Sequence, residues 1–180
     1  MKQAYVARQG RKMKRILKSL QKRRVMFLVN KVYVGTKHFE RKRKLLNKIG
    51  FQIGEGTKIV GPIECTGKLI IGKNCWIGKN FKVNGNGVVV IGDNCDIAPE
   101  VTFQTGTHII GDSDRRAGYI GANCCQRVGD GTWIGVRATI INAIKIGSGC
   151  VVAACACVNR DVSDNTVVGG VPARVIKELQ

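Results

Sequence analysis

The sequence is poor in histidine and contains no long apolar run. His38 and His108 are the only two histidines among 180 residues, which argues against centres built from several imidazoles, such as a zinc carbonic anhydrase with three histidine ligands. No stretch of about eighteen uncharged apolar residues is present, so no membrane-spanning helix is predicted. The first twenty residues are too basic for a secretory signal peptide, and we therefore expect a cytoplasmic protein.

The eight cysteines include no C-x-x-C pair. Cys155 and Cys157 form a C-x-C, which is weak support for a metal site, and we predict no bound metal. Cys75, Cys95 and Cys150 fall on the small-residue position of the repeat described below. We expect those three to be buried free thiols rather than parts of a disulfide framework.

Acidic residues are almost absent from the N-terminal part of the chain. Residues 1–50 hold seventeen Lys and Arg against Glu40 alone, whereas the other 130 residues hold thirteen basic and eleven acidic side chains. We predict a basic, mainly helical segment over residues 1–49. Residues 1–48 suit an anionic membrane surface, at the inner face of the membrane, or a solvated helix that packs one apolar edge on its own domain. Nucleic-acid binding is disfavoured because no reading motif accompanies the basic residues.

From Gly50 onward an aliphatic residue returns every six positions, most regularly from Ile91 to Val158. Gly occupies the second position of seven hexads and Ala that of two others, and the fifth position is small or apolar. Side chains alternate along a strand, so the first and fifth positions point inward and the sixth points outward. Each hexad is therefore one short strand and one corner, and three strands would close a triangular prism over residues 50–167. An antiparallel sandwich is disfavoured because hairpin spacings are absent.

The repeat is interrupted after Ile109 and resumes at Val128, which predicts a loop over residues 110–127. Arg115 and Arg116 in this loop could bind a phosphate or an acidic sugar, or could be solvated loop charges. By the same alternation, Thr107 and Ile109 are expected to fill the core and His108 to project outward. Trp76 and Trp133 also occupy outward positions, which suggests contacts with a ligand or another subunit.

Several segments resemble the hexapeptide-repeat, left-handed parallel β-helix O-acetyltransferases. Residues 97–108 are similar to the stretch that carries the catalytic histidine in the sugar and antibiotic acetyltransferases of that family. Trp133-Ile134-Gly135 matches its W-I-G motif, and residues 158–162 with 168–177 resemble its closing signature. The resemblance implies an all-β, left-handed parallel β-helix, acetyl-CoA as co-substrate, a homotrimer with sites between subunits, and His108 as the catalytic residue. A C-terminal tail, 168–180, follows the prism.

The resemblance also implies which residues contact acetyl-CoA. Two departures from the family pattern concern a corner and the acceptor: Asn142-Ala143 replaces the usual Pro-Gly, and Gly78 stands where some members have an acceptor-binding asparagine, with Asn80, Asn84 and Asn86 as the nearest substitutes. The candidate acceptor contacts are Asn84, Asp96, Arg115 and Arg116. The expected acetyl-CoA contacts are Trp133, Gly135, Val136, Ala153, Ala154, Asn159, Arg160, Arg174 and Lys177.

The expected reaction is O-acetylation of a sugar hydroxyl in polysaccharide biosynthesis. Imidazole, whose ordinary pKa is about 6.5, can accept a hydroxyl proton at neutral pH, and a backbone N–H near Gly135 or Val136 would stabilise the oxyanion. Acetylation of an antibiotic or other xenobiotic, or of serine, is the enzymatic alternative. A non-enzymatic prism that binds membranes or polyanions through its basic segment is the other.

Overall fold

The computed structural model describes residues 2–180, with side chains described from residue 12 onward. Within these residues, two α-helices, one π-helical turn and nineteen strands follow one another. Helix α1 spans Lys2–Phe27, a π-helical turn spans Leu28–Val32, and α2 spans Phe39–Lys48. The strands are β1 Gln52–Ile53, β2 Lys58–Ile59, β3 Ile63–Cys65, β4 Lys68–Ile71, β5 Trp76–Ile77, β6 Phe81–Asn84, β7 Val88–Ile91, β8 Asp96–Ile97, β9 Thr102–Gln104, β10 Gly106–Ile110, β11 Ala117–Asn123, β12 Cys125–Val128, β13 Trp133–Ile134, β14 Thr139–Ile141, β15 Lys145–Ile146, β16 Val151–Val152, β17 Cys157–Val158, β18 Thr166–Gly170 and β19 Ala173–Glu178.

Successive strands take turns on three sheets, so the chain winds as a triangular prism. Face A has the order β1-β4-β7-β12-β15, face B the order β2-β5-β8-β13-β16-β18-β19, and face C the order β3-β6-β9-β14-β17. Neighbouring strands on each face are parallel, except for the pair β18 and β19. The predicted fold, a parallel β-helix, is confirmed.

The six-residue period has the structural meaning predicted for it. The first-position residues from Ile53 to Phe103, and again from Val128 to Val158, are buried in one continuous core. Cys75, Cys95 and Cys150 are buried free thiols, as expected. Where glycine occupies the second position, it is required because the backbone of the next coil approaches closely. A Cβ on Gly78 would lie 2.5 Å from the backbone nitrogen of Pro99 on that coil. At these glycine corners the backbone of the next coil leaves no room for a side chain.

The N-terminal segment covers the open end of the prism. Val25, Val29 and Leu46 join the prism core. The Asn30 amide bonds both backbone groups of Ile63, at 2.8 and 3.0 Å, and Asn47 does the same for Ile53, at 3.0 and 2.9 Å. β1 and β3 are the first strands of their sheets, so these amides satisfy backbone groups that a preceding strand would otherwise bond.

Lys42 on α2 is completely buried. Its neighbours in the sequence are also basic, so the sequence suggested one more solvated cation. Its Nζ donates hydrogen bonds to the carbonyl oxygens of Gly35, at 2.7 Å, and Val60, at 3.1 Å. Burial lowers the pKa of Lys42 to about 8, because it disfavours the charged form. The ammonium thereby fastens the connection before α2 to the first coil.

Two predicted boundaries differ from the structure. The loop expected over 110–127 is largely strand, because β10 and β11 pair as an antiparallel hairpin and β12 returns to face A. The tail expected over 168–180 begins inside β18, whose Val168 is buried and pairs with Val152 of face B. β19 then folds back on β18 and ends that sheet. Within residues 2–180, no helix is long and apolar enough to cross a membrane.

Candidate active site

The interruption of the repeat is a hairpin, residues 106–123, that leaves the prism at the corner between faces C and A. Thr105 is still buried, but Thr107, His108, Ile109 and Ile110 are all exposed. The prediction that Thr107 and Ile109 fill the core was therefore wrong. Side chains alternate between the prism interior and solvent only while the chain follows the coil. After Thr105 the strand leaves the prism, so neither of its faces meets the core. His108 is exposed as predicted, but on an arm rather than on a face.

A bulge next to His108 supplies the partner of its ring. His108 pairs with Gly121, and the next pair is Ile110 with Ala117, so β11 carries extra residues between the two pairs. Within this bulge the carbonyl oxygen of Gly118 lies 2.9 Å from His108 Nδ1. Bulges commonly redirect groups beside active sites. A carbonyl oxygen can only accept, so Nδ1 carries the proton and Nε2 presents its lone pair, which is the tautomer a general base needs.

A cleft of about 340 Å³ lies at the outer end of the hairpin, and Gly118 is one of its lining residues. The Arg115 guanidinium stacks 4.0 Å above the centre of the Tyr119 ring and donates to the carbonyl oxygen of Ala117. Arg116 donates to the carbonyl oxygen of Gly111. Neither arginine forms a salt bridge among the described residues. Both cations are held by the hairpin itself, and Arg115 faces the cleft.

Asn84, the other predicted acceptor contact near this corner, lies under the base of the hairpin. Its carbonyl oxygen accepts hydrogen bonds from the backbone and the hydroxyl of Thr105, both at 2.8 Å. At the same base, Asn123 Oδ1 accepts from the Asn86 backbone at 2.8 Å. Asn123 is a residue that the sequence did not single out. Its place in an interrupted repeat gave no periodic signal.

Asp96 lies away from the hairpin, on the outer side of face B. It is in register with Trp76 on one neighbouring strand and Trp133 on the other. Partial desolvation raises the pKa of the Asp96 carboxyl. Trp76 packs edge-on against Phe39 of α2, with ring centroids 5.7 Å apart, so this indole is covered from within the chain. Trp133 remains 54% exposed.

The corner between faces B and C gathers four of the predicted acetyl-CoA contacts, on two successive coils. A Cβ on Gly135 would lie 2.6 Å from the backbone nitrogen of Ala154. The Gly135 N–H donates to Val152 and the Ala153 N–H to Val168, each at 2.8 Å. Among the described residues, the N–H groups of Val136 and Ala154 have no backbone acceptor. Of the two N–H groups considered for the oxyanion, only that of Val136 is unoccupied.

The remaining predicted contacts are distributed over two places. Arg174 and Lys177 are exposed on β19, paired with Gly169 and Val167, on the sheet that carries Trp133. Asn159 and Arg160 follow β17 at the corner between faces C and A. The Asn159 carbonyl oxygen accepts from Asn142, whose φ of 69° suits asparagine better than most residues. The corner that lacks Pro-Gly is thus closed by an asparagine.

Sequence inspection missed Gln126, which is fully buried where β12 rejoins the prism. Its Nε2 lies 2.9 Å from the Asn142 carbonyl oxygen and 3.2 Å from those of Gln104 and Ile140. The amide bonds the backbone around the point where the hairpin interrupts the sheet. For metal chemistry, residues 2–180 contain no group of three His, Cys, Asp or Glu side chains arranged to hold an ion.

Comparison with known proteins gives consistent similarities. The galactoside O-acetyltransferase of Escherichia coli K12 is 32% identical over 146 residues, 78% of this chain and 70% of that protein. A hexapeptide-repeat acetyltransferase of Vibrio cholerae, solved with acetyl coenzyme A, aligns with a TM-score of 0.78 and 28% identity over 89% of this chain and 86% of that one. A galactoside acetyltransferase in complex with coenzyme A aligns with a TM-score of 0.79 and 28% identity over 91% and 81%. No protein-family profile matches the chain.

Proposed function

Because this chain belongs to the hexapeptide-repeat acetyltransferases, we propose that it transfers the acetyl group of acetyl-CoA to a sugar hydroxyl, with His108 as general base. Membership makes the chain an acyltransferase that uses acetyl-CoA, so a passive scaffold is not supported. The observation that carries the catalytic assignment is the bond of 2.9 Å between His108 Nδ1 and Gly118, which leaves Nε2 free to accept a proton.

In the proposed reaction, Nε2 removes the acceptor hydroxyl proton as that oxygen attacks the thioester carbonyl carbon. The carbonyl π bond breaks to form a tetrahedral oxyanion. When the C–S bond then breaks, coenzyme A leaves as a thiolate and takes the proton from the imidazolium. The Gly118 carbonyl keeps Nδ1 protonated and stabilises the positive ring that forms between the two steps.

The N–H of Val136 is the proposed oxyanion donor, because the neighbouring Gly135 N–H is already bonded to Val152. A fixed donor of this kind contributes about 3 kcal/mol to other acyl transfers. The unoccupied Ala154 N–H lies on the next coil at the same corner and is proposed to bind the pantetheine arm, with Ala153 beside it. Arg174 and Lys177, with Asn159 and Arg160, would contact the nucleotide and its phosphates.

We propose a homotrimer, and the topology supports sites that are shared between subunits. The hairpin that carries His108 leaves from the corner between faces C and A, whereas Gly135 and Ala154 lie at the corner between faces B and C. Ile109, Ile110 and Ile120 are exposed on the hairpin, and Trp133 is exposed on face B. Apolar groups on an arm that points away from its own prism are best explained if they pack on a neighbouring subunit.

A carbohydrate acceptor is favoured by two observations. The galactoside O-acetyltransferase of Escherichia coli is a relative by sequence, and the cleft beside Gly118 combines Asp112, Asp114 and Arg115 with the exposed ring of Tyr119. Charged groups and an aromatic face can bind sugar hydroxyls and the apolar face of a sugar ring.

Asn84 and Arg116 are proposed as further acceptor contacts at the two ends of the hairpin. Asp96 is proposed to bind the acceptor beside Trp133. We propose a role in polysaccharide biosynthesis.

A coenzyme A release assay tests the function. Purified protein with acetyl-CoA is screened against free sugars, nucleotide sugars, antibiotics and serine, and sugars should give the largest kcat/KM. With the best acceptor, His108→Ala should lose roughly 10²- to 10⁴-fold in kcat. His38→Asn is the matched control, because His38 is the other histidine and has a φ of 57°, which asparagine accepts. A folded His108→Ala protein with near-normal kcat would overturn the base assignment, and turnover of antibiotics or serine alone would overturn the sugar assignment.

A further inference from the structure

The outer part of α1, described from Lys12 onward, buries none of its side chains, although one side of it shares a cleft with residues 48–50. Each side chain from Lys12 to Arg24 is exposed, and burial begins only at Val25. Five large apolar side chains of this helix are nevertheless exposed to solvent by 45% to 61%. These form what we term the apolar stripe: Met13, Ile16, Leu17, Leu20 and Phe27.

Helical spacing places the stripe on one side. Its members follow one another at intervals of three, one, three and seven residues, which keeps them within about 100° around an α-helix. Val25, the anchor to the prism core, lies about 140° around the helix from Leu20. The stripe therefore points away from the prism, and within the described part of the chain no other element covers it.

Charge identifies what the stripe can bind. Seven of the thirteen residues from Lys12 to Arg24 are Lys or Arg, and no acidic residue precedes Glu40. Lys12 and Arg23 lie along one edge of the stripe and Lys14 along the other, at about 60–120° from its centre. Long basic side chains in this position can extend toward anionic headgroups while their methylenes cover the apolar border.

Two alternative partners for the stripe, a second copy of α1 and a nucleic acid, fit less well than a membrane. A second copy of α1 would bring another seven cations against these seven without a single carboxylate, so pairing of stripes is opposed by repulsion. A nucleic acid satisfies the charge but offers no apolar layer in which five large side chains could be buried. Anionic phospholipid bilayers present both chemistries at one surface, negative headgroups above acyl chains.

We propose that α1 docks the enzyme on anionic phospholipid membranes by lying in the interface, with the apolar stripe inserted among the acyl chains. The docking does not depend on the identity of the acceptor or on catalysis by His108. Val25 at the end of α1 and Asn30 in the following π-helical turn fix the helix to the first coil. The hairpin with His108 leaves the third coil, so docking holds the active site at a membrane surface.

Vesicle co-sedimentation of the full chain tests the proposal. Vesicles of phosphatidylcholine alone are compared with vesicles that contain about one-third phosphatidylglycerol, a fraction within the anionic range of natural membranes. We expect at least tenfold stronger partitioning onto the anionic vesicles and a marked loss of binding at high salt. Equal binding to both vesicle types, or no binding to either, would overturn the proposal.

Paired variants locate the surface. Leu17→Ser with Leu20→Ser keeps every charge and should weaken partitioning about tenfold or more; Ser19→Ala with Gln21→Ala, on the same helix but off the stripe, should not. Lys12→Gln, Lys14→Gln and Arg23→Gln together should weaken it similarly, whereas the same charge change at the exposed prism residues Lys68, Lys73 and Lys145 should have less than a threefold effect. Equal losses in stripe and control variants would contradict the assignment.

Two further readouts separate this proposal from its competitors and from the proposed function. Turnover of a water-soluble acceptor should be unchanged in the Leu17→Ser, Leu20→Ser protein, since the stripe lies outside the active site. Its sedimentation coefficient should also be unchanged, because a shift would mean that the stripe joins copies of the chain. Duplex DNA that bound as tightly as anionic vesicles and was insensitive to the two serines would show a polyanion-binding helix instead.

Discussion

The prism and the hairpin use isoleucine in opposite ways. Ile134, on face B, is completely buried, whereas Ile110, on the hairpin, is 81% exposed. In the prism each apolar side chain is covered by the coil above and the coil below, so burial follows from the repeat. The hairpin has no coil around it, and its apolar side chains remain available to a second molecule. The regular region supplies stability, and the irregular region carries His108 and the exposed apolar surface that we propose for assembly.

Truncating an isoleucine to alanine, which removes three carbons, should give the largest contrast between the two regions. Ile134→Ala should lower the free energy of unfolding by about 2–5 kcal/mol, because the prism cannot close around the cavity. Ile110→Ala should change the free energy of unfolding of the dissociated chain by less than about 0.5 kcal/mol. Urea titration of both proteins at low concentration measures the difference. Similar losses would mean that the hairpin packs on its own prism.

A methyl group added to each region gives a smaller contrast of the same kind. Gly78→Ala would place its Cβ 2.5 Å from the Pro99 nitrogen, whereas in Gly121→Ala the nearest atom outside the neighbouring residues is the Thr107 carbonyl oxygen at 3.8 Å. The first change should cost about 1–3 kcal/mol and the second less than about 0.5 kcal/mol. Thermal unfolding compares them, and a tolerated Gly78→Ala would show that the corners can spread.

The exposed apolar residues of the hairpin should affect assembly rather than folding. Ile110→Ser with Ile120→Ser should weaken self-association by about tenfold, or about 1.4 kcal/mol, while the unfolding of dissociated chains stays unchanged. Val32→Ser with Val34→Ser, also exposed but outside the hairpin, is the matched control. Sedimentation equilibrium provides the association constants. If only the control pair dissociates the assembly, the hairpin is not the interface.

The same contrast explains what could be predicted from the sequence. A period of six fixed the faces, the core and the buried cysteines, because every hexad meets the same neighbours. It failed after Thr105, where strand alternation was extended to Thr107 and Ile109 although the chain had left the prism. The bulge that brings Gly118 to His108 was not predictable, since it depends on the register between β10 and β11.

Contacts between distant segments were equally hidden. Trp76 looked available to a ligand because its partner Phe39 lies in the basic segment, thirty-seven residues earlier. Lys42 looked like one more solvated cation, yet it is buried among carbonyl oxygens. Both depend on how the N-terminal helices settle on the first coil. A pattern that repeats along one segment carries no information about a segment that packs across it.

Subunit complementation tests the central claim most directly, that the hairpin of one chain and the corner with Gly135 and Ala154 of another form one active site. His108→Ala removes the base, and Ala154→Arg, at an exposed position, blocks the proposed acetyl-CoA groove. Each protein alone should be nearly inactive. Equal amounts of the two proteins are unfolded and reassembled together. Random assembly makes about three-quarters of the trimers mixed, and each mixed trimer has one intact site in three, so about a quarter of wild-type activity should be recovered. Reassembled mixtures that stay as inactive as their components would show that each site is built within one chain.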